Sequence, residues 1–330
     1  VCAEAVEPLV NLPAVEERLG TLRTRFSHAD GAESVLRPGV EDLHVVTGFG
    51  PTNAPTAGTL SVMIGTVELQ RRLNVPVTAV ISELGAWNSR NVAWARLEQV
   101  RDQMLEFLRA LGFDETQGRL RSHVDLDNLT RAGKIARFLG RRDFLEHREE
   151  LLELYEDHGL LGSEVGLTVD ALYTVADILE PADRGHHHVL MISGLEEAYF
   201  TELARLVVTR QKSSGSTSLN WSTKIGALYF RVIEGLAGYP KMSKSIPDSA
   251  IHLGMEADVL SVRITSESPA DQRALMSAME LASGWDLETL NTARYAYQHR
   301  DKNQAAWGKA KEHYLTTFLT FAEQWRACAR

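Results

Sequence analysis

The chain has 330 residues, 44% hydrophobic and 24% charged, a globular composition with apolar matter for one large or two modest domains. Its net charge of −9 excludes a protein that grips polyanions non-specifically, so any nucleic acid has to be met by a local patch. Cys2 and Cys328 offer neither metal spacing nor an expected disulfide, and no apolar run approaches the ~18 residues of a membrane helix; the expectation is a cytoplasmic chain without membrane association.

Residues 1–40 are polar and read as an N-terminal extension, helical in part, ahead of a first strand at Leu43–Thr47. A Gly/Pro-rich turn runs from Gly48 to Gly58, after which Leu60, Met63, Ile64 and Val67 recur at helical spacing and carry a helix to Leu73. A second strand is expected at Val75–Ser82, which completes a βαβ unit and predicts an α/β fold with a doubly wound parallel sheet. Glu83, Trp87, Asn88 and Arg90 follow that strand at the end where such sheets bind ligands, and they line an acceptor side or simply form the loop.

Leu97, Val100, Met104, Leu108 and Leu111 step by three and four, so residues 91–111 read as one amphipathic helix and a candidate dimer surface. It belongs to a helical insertion over about 88–165, whose charge run Arg141–Asp157 reads as a solvated face. Strand character returns at His188–Ser193, followed by a helix over Leu195–Thr209 and a Ser-rich polar loop at 211–224. Gly185-His186-His187-His188 reads as a strand entry or substrate loop rather than a metal site, because adjacent histidines rarely converge on one ion. Helix dominates the C-terminal region, where Trp307, Tyr314, Phe318, Phe321 and Trp325 fall on one core-facing stripe. The expected organisation is an extension over 1–40, a nucleotide-binding catalytic domain over 41–250 and a helical region over 251–330.

Two segments carry chemistry. The turn Thr47–Thr59 lies between a strand and a helix, where backbone N–H groups and the helix dipole form an anion site. Gly58 lets a nucleotide approach the backbone, and Thr56 and Thr59 can donate hydrogen bonds to phosphate. Lys241-Met242-Ser243-Lys244-Ser245 places two lysines three apart among hydroxyls, a clamp for the β- and γ-phosphates of ATP because each ammonium is a compact point charge on a flexible stem. No Ser-His-Asp or Cys-His arrangement is present to support nucleophilic catalysis.

Together the two segments resemble class I aminoacyl-tRNA synthetases, the tryptophanyl/tyrosyl branch in particular. Thr56-Ala57-Gly58-Thr59 stands where that class carries its HIGH signature, and Lys241–Ser245 is its KMSKS signature. The lead-in Thr47-Gly48…Pro51-Thr52, the segment Val165-Gly166-Leu167…Val175-Ala176-Asp177-Ile178-Leu179 and the turn Gly194…Tyr199-Phe200 match the same branch, so the resemblance spans roughly 43–255. It implies a Rossmann-type fold, ATP and Mg²⁺ as cofactors, and attack of an amino-acid carboxylate on the α-phosphate to give aminoacyl-AMP and pyrophosphate. The implied catalytic residues are Lys241, Lys244, Thr56 and Thr59, and ATP would meet Gly48, Gly50, Pro51, Gly58, Gly194 and Lys241 to Ser245. The amino acid would meet Val46, Gly50, Asp170, Thr174, Asp177 and Glu196; no metal-ligating residue is assigned.

The implied pocket departs from the family. Asp177 stands where tryptophanyl enzymes place the acceptor of the indole N–H, but Gly50 replaces a polar side chain, Asp170 a tyrosine, Thr174 a methionine, and Leu195-Glu196 an Asp-Gln pair. These changes favour a more polar, amine-rich substrate, since charge-assisted hydrogen bonds are about twice as strong as neutral ones and one lost packing group is worth ~1–3 kcal/mol of discrimination. Three readings stay open. One is a tryptophanyl-tRNA synthetase-like enzyme with a changed amino acid, acylating a small-molecule or peptide amine. The others are a divergent tryptophan- or tyrosine-tRNA ligase and a non-catalytic paralogue that binds amino acid or tRNA, in each case as an expected homodimer.

Overall fold

A computed structural model of the chain describes residues 7–8, 12–146, 156–215 and 221–329. The chain forms two compact units, residues 1–52, 66–101 and 112–231, and residues 53–65, 102–111 and 232–330. Strands are β1 (Glu7–Pro8), β2 (Phe26–Asp30), β3 (Leu43–Phe49), β4 (Val77–Ile81), β5 (Gly118–Ser122), β6 (His188–Gly194) and β7 (Lys224–Phe230). The helices are α1 (Pro13–Leu19), α2 (Ala32–Leu36), α3 (Ala57–Leu73), α4 (Glu83–Ser89), α5 (Trp94–Ala110), α6 (Leu126–Ile135), α7 (Arg141–Glu146), α8 (Glu164–Asp183) and α9 (Ala198–Ser213). The C-terminal region adds α10 (Ala257–Ile264), α11 (Pro269–Ala282), α12 (Leu287–Gln298) and α13 (Gln304–Ala327).

The first unit holds the whole sheet, in the order β1-β2-β7-β6-β3-β4-β5. β3, β4, β5, β6 and β7 run parallel, whereas β1 and β2 are antiparallel additions at one edge. The central strands are near-continuous apolar runs, as strands covered on both faces must be; all five residues of β4 are buried. One face packs Val46, Val189, Met191 and Tyr229 against Val175, Ile178 and Leu179 of α8 and Leu203 and Val207 of α9. α8 starts where Ser163 accepts from the Gly166 N–H, an N-cap that offsets an orphan donor. The α/β doubly wound fold with a helical C-terminal region is as expected.

Several expectations need correction. The sheet starts before Leu43: residues 1–40 contribute β2, whose segment Phe26–Asp30 lacks apolar alternation because Ser27 and His28 are only half-buried. The segment expected as a helical insertion contains β5, Gly-Arg-Leu-Arg-Ser, whose arginines hide its strand character. Glu83 to Ser89 is a helix rather than a loop. In the charge run Arg141, Arg142, Glu156 and Asp157 are exposed as expected, but Asp143 is buried and receives both Nη atoms of Arg210 and the Gly140 N–H, so it is an anchor; residues 147–155 lie outside the described residues. The polar loop is shorter than expected, since α9 continues to Ser213 and β7 begins at Lys224; residues 216–220 lie outside the described residues.

The helix expected over 91–111 spans Trp94–Ala110, and Leu97, Val100, Met104 and Leu108 are fully buried, so its apolar stripe is core. In the second unit Trp307, Tyr314, Phe318 and Trp325 of α13 are buried as the stripe predicts, while Phe321 is half-buried. Residues 232–250, with the KMSKS segment, belong to this unit. Among the described residues no helix is long and apolar enough to cross a membrane.

Candidate active site

The chain builds β3, β4 and β5 outward on one side and then returns to place β6 and β7 on the other, so the order reverses between β3 and β6. Open α/β sheets bind ligands outside the carboxyl ends of the strands at such a reversal. Gly48, Gly50 and Pro51 stand at that end of β3, and Gly194 and Glu196 at that end of β6, five of the residues the sequence points to. A Cβ on Gly48 would meet nothing closer than Val80 O at 3.8 Å, and one on Gly50 nothing closer than Ser82 Oγ at 3.9 Å; neither glycine has a positive φ. Neither the packing nor the backbone conformation demands glycine there, which fits a surface kept bare for a ligand. At Gly194 the Glu196 carboxylate folds back against the Cα, so the two residues act as one feature. Val46 is 1% exposed and packs in the sheet's core, so its side chain supports the site from beneath instead of lining it.

α8 presents Asp170, Thr174 and Asp177 at helical spacing; the first two are half-buried, and Asp177 is buried. Asp177 is fully engaged within the chain: Arg121 Nη2 donates to Oδ1 at 2.6 Å, and His123 Nε2 to Oδ2 at 2.7 Å. The tautomer follows from Gly85, whose N–H reaches His123 Nδ1 at 3.2 Å and makes that nitrogen the acceptor. Burial alone would raise the Asp177 carboxyl, but His123 and Arg121 outweigh it and hold the group below the usual carboxylate range. Burial likewise lowers the His123 pKa, and Asp177 prevails to push it up. Arg121 also donates through Nε to Glu180 at 2.8 Å, where Arg119 and Arg184 converge. Glu83, fully buried, accepts from Ser122 Oγ and the backbone N–H groups of His123 and Val124, fixing the segment after β5. Asp170 lies so close to Gly85 that a Cβ there would collide with its carboxylate.

In the second unit, Thr56 caps α3. Its Oγ1 accepts from the Thr59 N–H at 3.2 Å and lies 3.4 Å from Thr59 Oγ1. The cap is tied to the segment after KMSKS: the Ala57 N–H donates to Ile251 O, the Leu253 N–H to Pro55 O, and Thr56 bridges His252. A Cβ on Gly58 would meet only Thr56 Oγ1, at an ordinary 3.6 Å, so this glycine too is not required by the chain's own packing.

The KMSKS segment is a tight turn closed between Ser243 and Ile246, with Lys244 and Ser245 at its tip. Met242 and Ile246 are buried and anchor it; Met242 thus holds the turn and does not offer its side chain to a nucleotide. The Ser243 N–H donates to Ser249 Oγ at 2.9 Å, Ser249 Oγ donates to Ile246 O at 2.7 Å, and Ser243 Oγ accepts from the Ser245 N–H. Arg263 Nη1 holds the carbonyls of Pro247 and Ala250, each at 2.6 Å. Lys241, Lys244 and Ser245 are the half-buried members, displayed by that frame.

The three histidines converge on one residue. All three engage Asp42 at the entry to β3: His186 through the Asp42 carbonyl, His187 through its N–H, and His188 through Nδ1. This is the strand-entry role. Sequence reasoning missed Arg121, His123 and Arg263. A signal for Arg121 exists, since Arg119 and Arg121 at period two face Asp177 and Glu180 at period three, but it becomes visible only once β5 is a strand.

A scan against protein-family models finds no match, and a search of curated proteins finds none either. Solved structures do resemble the chain. Tryptophanyl-tRNA synthetase from the archaeon Aeropyrum pernix K1 aligns over 99% of this chain and 91% of its own, with a TM-score of 0.75 and 16% identity. The tryptophanyl-tRNA synthetase from Giardia lamblia aligns over 99% and 91%, at 0.72 and 18% identity. Tyrosyl-tRNA synthetase from Aeropyrum pernix aligns over 96% and 94%, at 0.68 and 14% identity. At these identities the likeness is one of fold.

Proposed function

We propose that this chain, which has the fold of tryptophanyl- and tyrosyl-tRNA synthetases, activates an amino acid with ATP and passes the acyl group to an amine. A carboxylate oxygen of the amino acid attacks the α-phosphorus, the bond to the bridging oxygen breaks, and pyrophosphate leaves. The acceptor nitrogen then attacks the carbonyl carbon, releasing AMP and a proton. Such chemistry needs little side-chain acid–base work and much positioning and charge neutralisation. Lys241 and Lys244 supply cationic charge to the departing pyrophosphate, and Gly48, Gly50 and Gly58 leave backbone open to the nucleotide. Thr56 and Thr59 are held by the helix cap, Thr56 buried and Thr59 half-buried beside Gly58. Mg²⁺ would arrive with ATP, held by phosphate oxygens, and neutralise charge there. The observation that carries the reading is the KMSKS turn, two displayed lysines on a frame of buried Met242 and Ile246 braced by Ser249 and Arg263.

The test is amino-acid-dependent ATP–pyrophosphate exchange over the standard amino acids and short polar analogues. Exchange with at least one of them supports the reading; silence across the set with folded protein favours a non-catalytic binder. A tRNA ligase, the activity in the relatives' names, is the second reading. Residues 251–330 carry nine Lys/Arg against ten Asp/Glu, a net charge of −1. Arg273 and Arg294 are already paired with Glu234 and Glu280, and Lys311 is buried on carbonyls of residues 265 and 266. A region that met tRNA through phosphate neutralisation would carry surplus positive charge, so an amine acceptor is favoured. Acylation of tRNA, with affinity falling steeply in salt, would reverse that preference.

A further inference from the structure

The first unit carries a cleft of about 450 Å³ at the amino end of β7, a size that suits a small metabolite. β7 runs parallel to β6, with Lys224 opposite His188 and Phe230 opposite Gly194. The cleft therefore stands six residues of strand, about 20 Å, from the end that holds Gly194 and Glu196, and nothing about it depends on the adenylating reading. Its walls are fixed by bonds to the backbone. Arg205 Nε and Nη2 donate to Ile225 O at 3.0 and 2.7 Å, Nη2 also reaches Asp30 O at 3.0 Å, and Nη1 holds the Asp30 carboxylate. The Lys224 N–H donates to His187 O at 2.8 Å and His187 Nδ1 to Ser222 O at 3.1 Å, which pins Thr223 between them.

The groups that the frame does not use select a ligand. Asp30 neutralises Arg205, whereas Lys212 and Lys224 are exposed cations with no ion pair among the described residues, a local surplus of two positive charges in a chain of net charge −9. Thr223 is 6% exposed, lines the cleft, and its Oγ1 has no hydrogen-bond partner among the described residues. A buried hydroxyl without a partner destabilises a fold, and a ligand oxygen that accepts from it removes the penalty. Ser34 Oγ and Thr209 Oγ1 already donate to the carbonyls of Gly31 at 2.7 Å and Arg205 at 2.9 Å, which leaves both as acceptors at the cleft. Val208 and Ile225, both buried, give it an apolar floor. We propose that this cleft binds a sugar phosphate. Lys212, Lys224 and Thr223 donate to the phosphate oxygens, Ser34 and Thr209 accept from sugar hydroxyls, and the C–H face of the sugar rests on Val208 and Ile225.

The test is calorimetric titration of the full chain with ribose 5-phosphate, glucose 6-phosphate, inorganic phosphate and ribose, with acetylation of each lysine followed by mass spectrometry. A sugar phosphate that binds about tenfold or more tighter than inorganic phosphate, and that protects Lys212 and Lys224 from acetylation, supports the proposal. Affinity no better than that of inorganic phosphate, protection confined to Lys241 and Lys244, or no binding at all overturns it. Thr223→Val separates a ligand contact from packing. It should hold or raise the melting temperature, because a buried hydroxyl without a partner is removed, and weaken the sugar phosphate about tenfold. Unchanged affinity in that variant, or in the double variant Lys212→Gln with Lys224→Gln, overturns the proposal. Protection is read lysine by lysine and needs no turnover, so failure of this cleft is distinguishable from failure of adenylation, which pyrophosphate exchange reads separately.

Discussion

Single residues separate groups that do chemistry from groups that hold the frame. Lys241→Ala and Lys244→Ala should each lower the rate of adenylate formation by about 10²–10³-fold, the usual loss of one transition-state charge partner. His44 shows the opposite kind of role. It is buried, bonded through Nε2 to Thr78 Oγ1, and burial, with smaller contributions from His186 and Arg119, lowers its pKa from 6.5 to about 3. The unfolded chain therefore takes up a proton below pH 6.5 that the folded chain refuses until about pH 3, so this contribution is complete above 6.5 and is lost as pH falls. The loss approaches ~1.4 kcal/mol per pH unit within that window. In urea titrations, His44→Gln should flatten the decline in stability between pH 6 and 4; an unaltered slope would remove His44 as its source. The lysines were legible from a pentapeptide. The Asp177 clamp was not, because a strand containing two arginines signals a surface until its buried carboxylate partners are known.

Elements explain which glycines belong to the ligand and which to the protein. Gly58→Ala meets only ordinary contact and exchanges a poor helix former for the best, so melting temperature should hold or rise. The same change puts a methyl group at the proposed nucleotide surface, and the KM for ATP should rise at least tenfold. Gly166→Ala is the contrast: its Cβ would collide with the Asn88 carbonyl where α8 packs on α4, and should cost about 1–3 kcal/mol in thermal unfolding. Periodicity revealed α3, α5 and α13 and the strands β3, β4 and β6, because each is long or strongly apolar. It failed for β2 and β5. In β5 polar side chains are satisfied by α8, and in β2 Ser27, His28 and Asp30 are only half-buried, which removes the apolar alternation. The proposed phosphate-binding residues were legible because each of their two segments is a contiguous motif. The cluster around Asp177 was not, because it depends on side chains brought together from 40 to 60 residues apart, such as Arg121 with Asp177 across 56.

At the scale of the molecule, a resemblance starting at residue 43 tempts one to regard everything earlier as dispensable. β2 argues otherwise. It pairs along β7 from Phe26 opposite Phe230 to Asp30 opposite Ala227, and Arg205 fastens it by donating to the Asp30 carboxylate and carbonyl. Six of the seven residues of β7 are buried. A chain shortened to begin at residue 41 would leave β7 as a bare apolar edge, a template for other chains. Such a protein should come out of expression as insoluble aggregate or as soluble multimers that scatter light on mild warming, even though every residue assigned to chemistry is still present. β2 is thus the strand that shields β7 from other chains, and the consequence of losing it is read in the size and light scattering of the shortened protein rather than in its chemistry.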